Sequence, residues 1–331
     1  MSPRATAQKR PRIAVIYCGG LAGTRRRGGT VFRSDRHVGI WLQSFPEIQF
    51  IADVEPVFIF DGPATDITPT HWQATASAVH RRMNRFDGFI VVQGVATIPY
   101  TAAALSFMLQ SLPRPLVLTG AVDVTADEGM NIGIRANLLN ALQVATLGIP
   151  GVSVLFGARL IAGTQVVPSM PGAVNLFGSY DGATLGEVNF GIFLQKTKRH
   201  QVRSDHQFAP DIDANVDVIE YHPGLSALQL RRTVAEGAHG VVIRELPAAP
   251  IPGSVLEAMA RSKPGVPLLL HRPTPGVRAP RPIVDVSGMS HITAIVKLMW
   301  TLGQTTDLRR VHALIRDNLA GEYGNGRTPQ L

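Results

Sequence analysis

Between Asp87 and Gly94 the chain reads DGFIVVQG. Four apolar residues follow one another, with a polar residue or glycine at each end. A strand with one wet face alternates apolar and polar residues. A strand-length run that is apolar throughout must be covered on both faces. Similar runs occur at Ile13–Tyr17, near the end of Gln49–Phe60 and in PRPLVLTGA (113–121). Segments with helical spacing separate them: Trp72–Phe86, with Pro69 just before it, Ala102–Leu112, and Arg135–Leu147. GVSVLFG and RLIAGTQVV then have the form of a hairpin. Buried strands alternating with helices predict a parallel sheet wrapped on both sides.

The pattern breaks at FLQKTKRHQVRSDHQFAPDIDANV, which is charged, polar and aperiodic. It reads as an interdomain linker, so the expected division is 1–192, a linker at 193–215, and 216–331. A second α/β unit starts at VDVIEYHPG. Its expected helices are Ser226–Glu236, Gly253–Ser262, Ile292–Gly303 and Asp307–Leu319. Its expected strands lie in GVVIREL and VPLLLHRP. A chain of 331 residues is long enough for two such domains. Its 45% apolar content and 17% charge are those of a packed globular protein, not a disordered one.

Other classes fit less well. No apolar run reaches the ~18 residues of a membrane span. The basic start MSPRATAQKRPR precedes only a short apolar run and reads as a tail, not a signal peptide. The single cysteine, Cys18, excludes an intrachain disulfide and fits a reducing cytoplasm. The net charge of +8 admits nucleic acid as a partner. The basic residues are dispersed, however, with little aromatic interleaving for base stacking, so nucleic-acid binding is not expected. The histidines lack metal-ligand spacing, and GGLAG lacks the spacing of a dinucleotide loop. The expectation is no metal and no cofactor.

In parallel sheets ligands bind beyond the carboxyl ends of the strands. The loops of interest are therefore Gly19–Thr30, Asp61–Pro69, Gly94–Tyr100 and Gly120–Gly133. They hold Asp61, Asp66, Gln93, Thr97, Tyr100, Asp123, Asp127 and Glu128. Asp123, Asp127 and Glu128 suit either an acid–base set or ordinary caps and turns. Arg25, Arg26, Arg27 and Arg33 suit either a carboxylate or phosphate clamp or a solvated loop. Cys18, next to Gly19, is either a reactive thiol or, more commonly, a buried structural one.

Several of these stretches resemble the bacterial-type L-asparaginase family. They are DGFIVVQGVATIPYTAAALSFML, PLVLTGA, NLLNALQVA, KTKRHQVRSDHQF, and the C-terminal ITAIVKLMWTLGQTTDLRRVHALIRDNLAGEY. The resemblance covers nearly the whole chain. It implies a large flavodoxin-like N-terminal α/β domain, a smaller C-terminal α/β domain, and a homodimer or homotetramer. It also implies nucleophilic chemistry: a threonine attacks a side-chain amide, supported by a Thr-Asp pair and a lysine, with amide donors for the oxyanion.

Carried over position by position, that machinery is missing. The first threonine falls on Leu21, after Gly19 and Gly20. The Thr-Asp pair falls on Val95 and Ala96, after Gln93 and Gly94. The lysine falls near Pro168. The serine that grips the substrate's carboxylate falls near Ala64, a further aspartate near Gly133, and a C-terminal asparagine-rich loop on Glu245–Pro250. Val95 keeps the size of threonine without its hydroxyl. Ordinary asparagine hydrolysis is therefore expected to be absent. Thr30 and Thr24 are candidate replacement nucleophiles, although turn residues are the plainer reading because no base partner is evident. Tyr100 and Asp127 complete the candidate catalytic set. Gly19, Gly20, Arg25, Arg27, Asp61, Gln93, Gly94 and Thr97 form the candidate binding set for a small amino-acid-like or anionic ligand. Three outcomes stay open: an enzyme with altered chemistry, a non-catalytic ligand-binding or scaffold homo-oligomer, and a true asparaginase that uses Thr30.

Overall fold

The computed structural model describes residues 10–20, 32–121, 129–169, 175–189, 191–195, 205–246, 250–262, 265–273 and 279–324. In chain order the elements begin with β1 (Arg12–Cys18), α1 (Asp35–Gln43), α2 (Ile48–Ile51), β2 (Asp53–Phe60) and α3 (Pro69–Arg82). Next come β3 (Gly88–Val92), α4 (Ile98–Met108), β4 (Leu109–Gln110), β5 (Pro115–Thr119) and α5 (Gly129–Thr146). Short strands follow: β6 (Gly151–Phe156), β7 (Arg159–Ala162), β8 (Val166–Pro168), β9 (Phe177–Ser179), β10 (Gly186–Val188), β11 (Ile192–Leu194) and β12 (Gln207–Phe208). The last part holds β13 (Val216–Glu220), α6 (Ala227–Ala235), β14 (Gly240–Arg244), α7 (Gly253–Arg261), β15 (Leu268–His271), β16 (Val284–Asp285), α8 (His291–Gln304) and α9 (Leu308–Arg316).

The chain forms two compact units that interleave in sequence. The first holds 1–98, 112–160 and 186–194; the second holds 99–111, 161–185 and 195–331. The first is built on a sheet ordered β11-β10-β7-β6-β5-β3-β1-β2. β2, β1, β3, β5 and β6 run parallel. All five residues of β3 and of β5 are buried, as continuous apolar runs require. Helices α3 and α5 pack on this parallel core.

In the second unit β13, β14, β15 and β16 are parallel in that order. Successive side chains of its central strands enter different cores. Val241, Ile243, Leu268 and Leu270 pack with Leu230, Leu256 and Met259 from α6 and α7. Val242 and Leu269 pack with Ala294, Leu298, Val311 and Ile315 from α8 and α9. This two-faced burial follows from the period-two geometry of a strand. Mixed α/β architecture with a large, mainly parallel sheet and a smaller parallel sheet is thus the observed fold.

Some elements depart from the sequence expectation. α4 starts at Ile98, so Tyr100 is helical rather than part of a loop. Pro99 sits in the first turn, where its missing N–H costs no helical bond. α5 begins at Gly129, six residues before the expected start. Gln207–Phe208, inside the stretch read as linker, pairs antiparallel with β4.

The second unit contains a buried titratable side chain. His271 ends β15 and is 5% exposed. Burial is the main cause that pushes its imidazole down to about 4, and His291, edge-on at 5.8 Å between ring centroids, adds to it. An unfolded imidazole titrates near 6.5. Below that pH the unfolded chain takes up a proton that folded His271 refuses. The stability is therefore fully present above about pH 6.5 and falls as pH drops toward about 4, by about 3 kcal/mol for this residue. Burial pushes His291 the same way. Urea unfolding measured across this range is expected to show the loss, and His271→Gln is expected to flatten it. An unchanged slope in the variant would assign the acid sensitivity elsewhere.

Candidate functional site

β1, β2, β3 and β5 bring their following loops together at the carboxyl edge of the large sheet. The Gly94 N–H donates to the Gly19 carbonyl at 3.0 Å, and the Gly20 N–H donates to the Gly62 carbonyl at 2.6 Å. The Gln93 N–H donates to the Thr119 carbonyl at 3.1 Å. The loop after β1 is thereby bonded to those after β2 and β3.

Glycine is required here for two separate reasons. Gly19 and Gly20 have φ of 69° and 77°, a region that side chains with a Cβ rarely enter. The approach is also too close for one. A Cβ on Gly20 would run into the Gly94 backbone and stand 2.9 Å from the Ala64 Cβ. A Cβ on Gly94 would stand 2.5 Å from the Gly20 carbonyl oxygen and 2.7 Å from the Ala64 Cβ. Gly20, Gly94 and Ala64 therefore meet at one junction.

The polar groups around it are held in place. The Tyr17 hydroxyl donates to Asp61 Oδ1 at 3.1 Å. Tyr17 is buried and stacks on Phe32 at 4.1 Å between centroids, with Phe58 stacked at 6.4 Å. The buried Gln93 donates from Nε2 to Thr97 Oγ1 at 3.3 Å, and that hydroxyl donates to the Ala64 carbonyl at 3.1 Å. Thr65 donates to Asp66 Oδ1 at 3.3 Å. Asn137 on α5 donates to the Gly120 carbonyl at 2.8 Å and accepts from the Gly157 N–H at 3.1 Å, which ties the residue after β5 to the residue after β6. Val95 is half-buried and Ala96 exposed on a short turn of 3₁₀ helix, Val95–Thr97. Cys18 lies under the junction, fully buried. Burial pushes its thiol up to about 11, which suits a packing role.

Of the residues singled out from the sequence, Gly19, Gly20, Asp61, Gln93, Gly94, Thr97, Val95 and Ala96 lie on these converging loops. Tyr100 on α4 and Pro168 on β8 belong to the second unit; Pro168 is exposed and pairs with Phe177. Leu21, Thr24, Arg25, Arg27, Thr30 and Asp127 lie outside the described residues, as do Asp123 and Glu128. Sequence reasoning missed Tyr17 and Gly62. The only hint of the first was an aromatic residue near the end of a buried strand, and of the second a glycine after Asp61. Among the described residues no group of three His, Cys, Asp or Glu could hold a metal ion. No described helix is long and apolar enough to cross a membrane.

Residues 12–200 match the family described as asparaginase, N-terminal. An L-asparaginase of Thermococcus kodakarensis is 31% identical over 286 residues, covering 82% of this chain and 86% of the relative. A glutamyl-tRNA(Gln) amidotransferase subunit of Pyrococcus abyssi is 28% identical over 340 residues, covering 94% and 76%. Among solved structures, the thermostable L-asparaginase from Thermococcus kodakarensis superposes with a TM-score of 0.81. Its sequence identity is 26%, and the superposition covers 94% of this chain and 98% of that one. The chain belongs to the asparaginase family.

Proposed function

We propose that this chain is an asparaginase-fold enzyme with altered chemistry, acting on a small amino-acid-like or carboxylate-bearing amide, with ordinary asparagine hydrolysis lost. In this reading it is a cytoplasmic homodimer or homotetramer of two α/β domains, 1–192 and 216–331, joined by 193–215. The observation that carries it is the make-up of the loop junction. Gly19, Gly20 and Gly94 keep an approach that only glycine allows. Ala64, Val95 and Ala96 around them bring no hydroxyl, carboxylate or amine. The amide class is supported by the relatives, an L-asparaginase and an amidotransferase subunit. Asp61, braced by the Tyr17 hydroxyl, and the Gln93–Thr97 pair supply the polar groups for recognition.

A non-catalytic ligand-binding or scaffold protein is the alternative reading. The hydroxyls of Thr65 and Thr97 are both already engaged at the junction, by Asp66 Oδ1 and by the Ala64 carbonyl of the neighbouring loop, which favours it. A true asparaginase using Thr30 is the third. Ammonia release from a panel of carboxylate-bearing amides, with titration calorimetry on the same panel, separates the first two. The enzyme reading expects release from at least one amide other than asparagine or glutamine, reduced at least tenfold in Asp61→Asn. Binding without release would overturn it in favour of the non-catalytic reading.

A further inference from the structure

We propose that the groove beside α2 in the first unit is a self-complementary contact surface that takes Phe50 of a second copy of this chain. The groove has a volume of about 750 Å³, and Leu42, Phe45, Ile48, Val54 and Pro56 give it an apolar lining. Its next-door neighbour in sequence is the most exposed large apolar side chain among the described residues: Phe50 is 79% exposed, one position after the lining residue Gln49. Ile40, beside the lining residue Gly39, is exposed as well. One patch thus carries both a protruding aromatic and an apolar hollow, which is what a two-fold interface needs, because each surface must fit a copy of itself.

The adjoining strand is a poor template for a peptide as an added strand. β2 is the last strand of the sheet. The Asp53 N–H points toward β1, bonding the Pro11 carbonyl. Alternation then places the nitrogens of residues 54, 56 and 58 on the outer edge. Pro56 has no N–H, and that of Phe58 donates to Asp35 Oδ1 at 2.7 Å. Strand addition would find one donor in three, so a side chain entering the hollow is the better occupant.

Charge fits a second copy too. Among the groove's own lining residues Arg10 pairs with Asp53 at 3.6 Å, both more than half exposed. A rim with both signs can meet itself across a two-fold axis with opposite charges opposed. Two Phe50 side chains bury about 300–500 Å² of the roughly 1,600 Å² of a standard interface, and aromatic anchors of this kind dominate binding.

This deepens the self-association part of the reading above, and the test keeps the two apart. The mass in solution is measured by light scattering for the wild type and Phe50→Glu. Copies carrying Phe50→Cys are also mixed with copies carrying Gly39→Cys under mild oxidation; the native Cys18 is buried. A Cβ at Gly39 would meet only the Pro56 ring, at 3.3 Å, so the cysteine requires that ring to shift by a few tenths of an ångström. The expected result is a twofold fall in assembly mass for Phe50→Glu with an unchanged circular dichroism spectrum, and a mixed disulfide between the two cysteine variants. A multimer whose mass ignores Phe50→Glu and which forms no mixed disulfide overturns this surface and leaves self-association standing. A monomeric wild type overturns both. If that monomer binds an anilinonaphthalene dye that Phe50→Glu releases, the groove belongs to a small apolar ligand instead.

Discussion

Lys297→Met is expected to destabilise the protein by about 3–5 kcal/mol, the cost of breaking a buried ion pair from one side. Lys297 and Glu322 are both fully buried, with Nζ 2.5 Å from Glu322 Oε1. The same ammonium donates to the Ile315 carbonyl at 2.8 Å and the Asp317 carbonyl at 2.5 Å, closing the end of α9. It also sits 4.8 Å from the centre of the Tyr323 ring. Burial pushes the ammonium below the ordinary lysine range, against the pull of the Glu322 carboxylate. Glu322 is satisfied on its other side, accepting the Leu319 N–H at 3.0 Å and the Ala320 N–H at 2.7 Å. Removing the lysine leaves a dry carboxylate and two carbonyls without their cation. The double variant Lys297→Met with Glu322→Gln is expected to recover part of the loss, because the stranded charge is gone. Urea unfolding of the three proteins checks this; a single variant within about 1 kcal/mol of wild type would show that the pair contributes little.

Gly20→Val is expected to cost about 3 kcal/mol or more. A positive φ costs a β-branched residue on the order of 1–3 kcal/mol by itself. The side chain would also displace the Gly94 backbone, which cannot yield as the end of a flexible side chain can. Gly133→Ala is the contrasting control. Gly133 is exposed within α5 and a Cβ there meets nothing within 4 Å, so alanine is expected to be neutral or to stabilise by up to about 1 kcal/mol. Thermal unfolding of both variants tests the pair of claims. Equal effects would mean that the junction is looser than its geometry implies.

The fold was legible where burial is written into consecutive residues. DGFIVVQG and PRPLVLTGA announce β3 and β5 because a strand covered on both faces is apolar almost throughout, and the one polar residue within these two strands, Thr119, is satisfied by donating to the Leu155 carbonyl. α1 left little trace: DRHVGIWLQ buries only Val38 and Leu42 and contains a glycine. The strands from β8 to β11 are three residues long, too short for any period to register. The start of α5 was hidden because Gly129, Asn131 and Gly133 favour turns, and tertiary context overrides them. At the junction the glycines were legible, since only glycine fits a positive φ at close approach. The Tyr17–Asp61 bond was not. It joins residues 44 apart whose proximity is set by the parallel register of β1 and β2 rather than by local pattern. The Lys297–Glu322 pair was hidden for the same reason: a lysine in an apolar helical stretch shows that a partner is needed, not which one.

In the proposed function the glycine loops remain while the asparagine-hydrolysing groups are lost. Ammonia release from asparagine and glutamine by the purified protein, beside its Thr30→Ala variant, tests it most directly. Neither protein is expected to release ammonia above the uncatalysed rate. Robust release by the wild type, lost in Thr30→Ala, would contradict it and make Thr30 the nucleophile.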